Sequence, residues 1–308
     1  MKKKEFNFLS ADGKTTIGAT MWLPEGEPRA IVQIVHGMQE YVDRYDDFAS
    51  FLCEQGIAAA GNDHLGHGRS VVSDDRHGYF ADKNGNACLL KDIHHLRKGM
   101  QKHYPEVPYV VMGHSMGSFL TRQYIQEHGT GLAGAIIMGT GSQPGAVITA
   151  AKAVCRALAM VHGWDSPSDL VDKMAFGSYN EKFDPAEGST AWLTKEQAIR
   201  KKYEADPWCT FRFTLNGYYN MFYSIGCAQD ESAIRNVPAD LPILVISGAD
   251  DPVGGFGKGV RTAYEQLLSC GVKNVKLILK EGDRHEVLNE TDQDEVYGQI
   301  LEWLEGCL

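Results

Sequence analysis

Six short runs of apolar, mostly β-branched or small residues constrain this chain more than any other feature. They are Ala30–Val35, Ile57–Gly61, Tyr109–Met112, Leu132–Met138, Ile243–Ser247 and Val275–Leu279. Continuous apolar strands of this kind predict parallel sheet buried on both faces. Segments with helical spacing lie between or after them: Tyr41–Gln55, Ala87–His103, Met116–His128, Phe256–Ser269 and Thr291–Leu304. Such alternation gives a layered α/β domain with right-handed crossovers. Two alternating segments come first, Glu5–Leu9 and Thr15–Trp22, with Asp12-Gly13 as a turn signal between them. They read as an antiparallel hairpin, so the expected sheet has eight strands and is mostly parallel.

The alternation stops between Ser142 and Asn236. The expected organisation is a core of residues 1–141 and 237–308, with 142–236 inserted after the sixth strand as a helical cap over the sheet. Within it Ala146–Val161 is helical, with Lys152 and Arg156 one turn apart on one face. Thr194-x-x-Gln197 has capping-box spacing and predicts a helix running toward Tyr203. Aromatic residues crowd its last part, from Trp208 through Phe211, Phe213, Tyr218, Tyr219 and Phe222 to Tyr223.

The 308 residues allow one large domain or two modest ones. A chain of that length buries roughly three quarters of its unfolded surface, so no disulfide or metal staple is required. Asp and Glu outnumber Lys and Arg by 40 to 30, a net charge of −10. That balance argues against nucleic acid as a partner and against a polybasic membrane clamp. The seven cysteines are odd in number and scattered without a C-x-x-C, as in a reducing compartment. Lys2-Lys3-Lys4 is basic like the start of a signal peptide, but Asn7, Ser10 and Asp12 interrupt the apolar stretch such a peptide needs next. No run is expected to reach the roughly 18 apolar residues of a membrane span. A cytoplasmic protein without stable membrane insertion is the expectation.

Chemistry enters at Gly113-His114-Ser115-Met116-Gly117. This is G-x-S-x-G between a strand and a helix, the nucleophile elbow of the α/β-hydrolases. The turn is tight enough to need small residues on both sides of the serine. The helix N-terminus behind it favours developing negative charge. A serine hydroxyl needs a base, and this fold carries its triad in the order Ser, Asp or Glu, His. Gly248-Ala249-Asp250-Asp251-Pro252 and Gly282-Asp283-Arg284-His285-Glu286 each follow a strand in that order, where α/β sheets place their sites. The residues alone leave Asp250 and Asp251 open, since either can be a turn-former before Pro252. His36-Gly37-Met38-Gln39-Glu40 follows Ala30–Val35, where this fold builds half of its oxyanion hole. The backbone amides of Met38 and Met116 are the expected donors.

HGMQEY, DHLGHGRS (Asp63–Ser70), GHSMG, SGADDPVG and HEVLNE (His285–Glu290), in that order, resemble the monoacylglycerol lipase and lysophospholipase-like branch of the α/β-hydrolases. That branch is related to the serine aminopeptidase family. The resemblance covers nearly all of the chain, and FGSYNEKFDP, WLTKEQ and ADPWC of the insertion resemble its bacterial lysophospholipases. It implies the α/β-hydrolase fold, and its G-x-x-D pattern counted from Gly248 selects Asp251. It makes His285 the histidine and Gly37-Met38 the oxyanion turn, with Gln39 where relatives often carry a small residue. Asp63, His64 and His67 resemble a structural loop; their spacing matches no zinc motif, and neither metal nor cofactor is expected. The implied activity is hydrolysis of single-chain esters, monoacylglycerol or lysophospholipid, by a Ser115-His285-Asp251 acyl-enzyme route. The alternatives are a small-ester carboxylesterase and an amidase or prolyl aminopeptidase. The last would need a carboxylate for a free amine, and the insertion offers Glu181, Glu187, Glu196 and Glu204.

Overall fold

In a computed structural model that describes residues 1–308, the hairpin and all six runs become strands of one sheet. The strands are β1 (Lys2–Leu9), β2 (Thr16–Leu23), β3 (Ala30–Val35), β4 (Ile57–Asn62), β5 (Tyr109–His114), β6 (Gly134–Met138), β7 (Ile243–Gly248) and β8 (Val275–Lys280). Their order is β1-β2-β4-β3-β5-β6-β7-β8. β1 and β2 pair antiparallel, as do β2 and β4; every later pair is parallel.

Alternate residues of a strand point to opposite faces, and the core divides accordingly. Val32, Ile34, Val110, Met112, Leu244 and Ile246 pack with Phe48 and Leu52 of α1 (Asp46–Glu54) and Val296 and Ile300 of α10 (Gln293–Glu305). Ile31, Val35 and Val111 pack on the other face with Ile93 of α2 (Gly85–His103) and Leu120 of α3 (Met116–His128). On the same side as α3, Ile137 and Val245 meet Val260 and Leu267 of α9 (Lys258–Ser269). β3 to β7 are buried throughout. β8 is only half-buried, against the expectation of a doubly covered strand, because it is an edge strand with β7 as its one neighbour.

Residues between β6 and β7 form five helices: α4 (Gly145–His162), α5 (Asp169–Phe176), α6 (Gln197–Ala205), α7 (Leu215–Ala228) and α8 (Glu231–Ile234). Two expectations need correction here. α6 is not opened by a capping box, since its N-cap is Glu196 and Gln197 is its first residue. The Thr194 hydroxyl accepts from the Glu196 amide at 3.0 Å and donates to the Asn289 carbonyl at 2.9 Å. Nor is every segment too short or too polar to cross a bilayer. α4 has 18 residues, a mean hydropathy of 1.3 and only 22% of its residues buried, so by length and composition it qualifies. Lys152 and Arg156 break the run to the eye without lowering its average enough. Their side chains lie over the rings of Tyr223 and Tyr219 of α7.

The sheet and α3 meet at two glycines that leave no room for a side chain. A Cβ on Gly117 would stand 1.9 Å from the Val35 carbonyl oxygen, and one on Gly113 would stand 2.2 Å from both the Gly117 carbonyl oxygen and the Thr121 hydroxyl. The clash is with backbone, which cannot swing away. Gly117→Ala should therefore destabilise the fold by about 3 kcal/mol or more, the upper end of overpacking costs. A urea unfolding midpoint equal to that of the unaltered protein would contradict this close fit.

Candidate active site

Ser115 links β5 to α3 with φ 54° and ψ −122°. A non-glycine residue held there carries roughly 1–3 kcal/mol of strain, so its neighbours must fix it. The Ser115 amide donates to the Met138 carbonyl of β6 at 3.0 Å. Its own carbonyl accepts from the Ser118 amide at 2.9 Å and the Ser118 hydroxyl at 2.6 Å. The elbow is thus tied both to the sheet and to the first turn of α3.

Asp251 lies past the end of β7 and is fully buried; His285 lies past β8 and is 2% exposed. Their side chains meet, with His285 Nδ1 2.9 Å from Asp251 Oδ2. The Ser247 hydroxyl donates to the same oxygen at 3.2 Å, and the Val253 amide donates to Oδ1 at 2.8 Å. A carboxylate only accepts, so the proton sits on Nδ1 and Nε2 keeps a lone pair. That is the tautomer a general base needs. Asp250 is exposed and spends its amide on the Asp283 carbonyl at 2.9 Å, so it shapes the turn. Ser115 and His285 line one cavity; no hydrogen bond joins their side chains, and such bonds commonly tighten only with substrate present.

The loop after β3 passes against the elbow, for a Cβ on Gly37 would lie 2.9 Å from Ser115 Cβ. The Met38 amide has no acceptor in the protein, and the Met116 amide opens α3, where no intrahelical acceptor exists. Both residues line the cavity beside Ser115. Gln39 adopts φ 55° and donates its side-chain amide to the Phe211 carbonyl, tying this loop to the segment between β6 and β7. Asp63 braces the same region from below. Its carboxylate accepts from the Val42 amide at 2.9 Å and from the Arg69 amide and Nε at 3.0 and 2.9 Å. The rings of His36, His64 and His67 are buried beside it, with centroids 4.1 to 6.3 Å apart.

Behind the triad lies a buried ionic network that no motif of the sequence announces. Glu40 accepts from the Gly37 amide, from the Tyr45 hydroxyl at 3.0 Å and from Arg44 at 3.2 Å. Arg44 also grips Glu286 through two bonds of 2.9 Å. His114 holds Glu40 at 3.0 Å through Nδ1 and the His285 carbonyl at 3.3 Å through Nε2. Both of those partners only accept, so both nitrogens carry protons and the ring is an imidazolium. Burial works against its charge, but Glu40 holds its pKa above the usual histidine value. Burial likewise opposes the charge on Glu40, yet His114 and Arg44 hold its carboxyl far below the usual range. The Glu40-x-x-x-Arg44 spacing is the one local signal; the Glu40–His114 and Arg44–Glu286 links span 74 and 242 residues.

The cavity above Ser115 has a volume of about 170 Å³, and 17 of its 26 lining residues are hydrophobic. Ile148 of α4, Phe176 of α5 and Phe222 of α7, all from helices between β6 and β7, are among those lining residues. Glu181, Glu187, Glu196 and Glu204 do not line it.

A serine at the tip of a central strand, an acid after β7 and a histidine after β8 define the layout of an α/β-hydrolase. The sequence profile of the family described as serine aminopeptidase, S33, matches residues 26–292; the chain belongs to this family. A highly thermostable carboxyl esterase from Bacillus coagulans, solved in complex with glycerol, shares 30% identity over 100% of this chain and 99% of its own, with a TM-score of 0.92. A monoacylglycerol lipase of Mycolicibacterium smegmatis is 25% identical over 98% of this chain and 97% of its own length. Rat monoglyceride lipase is 31% identical over 43% of this chain. That match spans 41% of the rat protein, and the match to a Dictyostelium discoideum abhydrolase domain-containing protein spans 28% of that longer chain.

The histidine cluster sets a pH dependence. Burial, reinforced by neighbouring histidines, lowers His36 and His67 to about 3 from an ordinary 6.5. Between those values the unfolded chain binds protons that the folded chain does not. Their stabilising effect is complete above pH 6.5 and is lost as pH falls toward about 3. Glu40, with its depressed carboxyl, acts in the same direction at lower pH. His114, raised, contributes in full below pH 6.5 and loses that contribution as pH rises from there to its own folded value. Tm should fall steadily from pH 7 to pH 4. His67→Phe, whose ring would join Phe80, Phe211 and Phe213, should flatten the fall. A Tm that holds or rises over that interval would contradict this reading.

Proposed function

We propose that the protein hydrolyses single-chain carboxylic esters, monoacylglycerols or lysophospholipids, through Ser115, His285 and Asp251. The observation that carries this reading is that His285, held by buried Asp251, lines one mostly apolar cavity together with Ser115. Ser115 Oγ attacks the ester carbonyl while His285 Nε2 takes its proton. The oxyanion receives the Met38 and Met116 amides, and removing one such donor typically costs about 2.7–4 kcal/mol of barrier. Asp251 keeps the imidazole in one tautomer and stabilises the imidazolium. His285 then gives its proton to the leaving alcohol, which departs and leaves Ser115 acylated. Water, deprotonated by His285, attacks the acyl-serine; the carboxylic acid leaves and Ser115 recovers its proton. Residues 142–236 act as the cap whose apolar helices receive the acyl chain, over a core of residues 1–141 and 237–308.

The names of the Bacillus and Mycolicibacterium relatives support the ester, and glycerol in the former supports a small polyol as leaving group. An aminopeptidase reading is less well supported. The glutamates that line the cavity are Glu40 and Glu286, and both are already held by Arg44, with His114 on Glu40. No cavity carboxylate is left for a substrate's amine.

Ser115→Ala should abolish turnover of p-nitrophenyl esters while leaving the circular dichroism spectrum unchanged. Asp251→Asn should lower kcat by about 10⁴, and Asp250→Asn should change it little. Each buried methylene contributes about 0.8 kcal/mol, close to fourfold, so kcat/KM should climb with acyl length over several carbons below the micellar range. Rates that peak at acetate and fall along the series would replace the lipid reading with a small-ester one.

A further inference from the structure

The segment just before α6 is stitched to the loop that carries His285. Arg284 clasps Glu187 through two bonds of 2.8 and 3.0 Å and donates to the Ala191 carbonyl at 2.7 Å. The amides of His285 and Glu286 donate to the carbonyls of Trp192 and Leu193 at 3.3 and 2.7 Å. Lys195 donates its amide to Glu290 at 3.1 Å and its ammonium to Asp283 at 2.8 Å. Residues 187–195 therefore form a strap bonded to residues 283–290 through Glu187 and each residue from Ala191 to Lys195.

At its centre the Trp192 ring lies 5.0 Å from the His285 imidazole. The ring of His114 lies 4.7 Å from the same imidazole. Asp251 holds His285 by one nitrogen only, and a ring held at one point can still rock about that bond. Contacts with rings from two separate elements limit such motion. Trp192 is itself held in place, with its amide on the Asn180 side chain at 3.1 Å and its ring 5.0 Å from that of Tyr179.

Resting on the Ser115-His285-Asp251 reading, we propose that Trp192 is a positioning residue for His285, and that the strap sets the orientation of the imidazole. When His285 takes the serine proton it becomes a cation within reach of the indole, whose ring attracts positive charge. The other charged groups around it are already committed. Asp251 is on Nδ1, the His114 imidazolium is held by Glu40, Glu286 by Arg44, Arg284 by Glu187, and Asp283 by Lys195. The phenols of Tyr179 and Tyr203 line the same cavity, and burial raises both far above the range where they would ionise. Removing the indole should therefore loosen the imidazole and disfavour its protonated form.

The test uses the full-length protein with p-nitrophenyl butyrate and p-nitrophenyl laurate. Trp192→Ala should lower kcat by about 100-fold, the usual result of misplacing a catalytic group by an ångström. The loss should be equal for both esters, with KM unchanged and the acidic limb of the kcat/KM profile moved to lower pH. Trp192→Phe should restore most of kcat. Glu187→Gln, outside the cavity, weakens the far anchor of the strap and should lower kcat in the same direction at constant KM. If Trp192→Ala fails to fold, by circular dichroism, the Phe and Gln variants decide. Trp192 lines the cavity, so a loss confined to KM and larger for laurate would mean that it acts only as a wall and would overturn the proposal. So would an unchanged kcat in both Trp192→Ala and Glu187→Gln. Failure of the underlying triad is read separately, as turnover or fluorophosphonate labelling that survives Ser115→Ala.

Discussion

The structure turns on one strained residue. Ser115 can hold φ 54° and ψ −122° only because β5, β6 and α3 fix the backbone on either side of it. That support requires α3 to start almost in contact with β3, which Gly113 and Gly117 permit. The same approach brings Gly37 of the loop after β3 against Ser115. One close crossing therefore exposes the serine and sets two backbone amides beside it, and the strand order of the sheet delivers Asp251 and His285 to the same end.

The polar groups around this junction form a layered support. Asp251 fixes one nitrogen of His285, while the His114 imidazolium holds the carbonyl of the same residue from below. Glu40 joins His114 to the loop after β3, and Arg44 joins Glu40 to Glu286, the residue after His285. Charges this deeply buried persist only when each is paired. Arg44–Glu286 joins the loop after β3 to the loop after β8, and His114 joins the end of β5 to both, so these segments are locked to one another. On the far side, residues 187–195 are bonded to the His285 loop.

How much of this is legible in the sequence depends on the range of the interactions. The parallel strands can be read to within a residue or two because burial on both faces writes a continuous apolar run, whereas exposed β1 starts three residues before its alternating pattern. β8 misleads for the same reason, since its composition does not reveal that it ends the sheet. Thr194 carries the right spacing for a helix start, but its hydroxyl is committed to Asn289, far along the chain. Ser115 and His285 can be singled out because each sits at a strand end in a short motif, whereas Asp251 is separated from Asp250 only by the family resemblance. The ionic network cannot, since His114–Glu40 and Arg44–Glu286 are pairs made only by the fold. The apolar character of α4 is easily missed because two cations interrupt an otherwise apolar helix.

The central claim is that Ser115 carries the acyl group between the two halves of the reaction. Acid-quenched mass spectrometry of the enzyme mixed with 1-lauroylglycerol tests this directly. The account predicts a lauroyl ester on the peptide containing Ser115 at early times, absent from Ser115→Ala. Turnover with no adduct on that peptide, or an acyl group mapped to another residue, would contradict it.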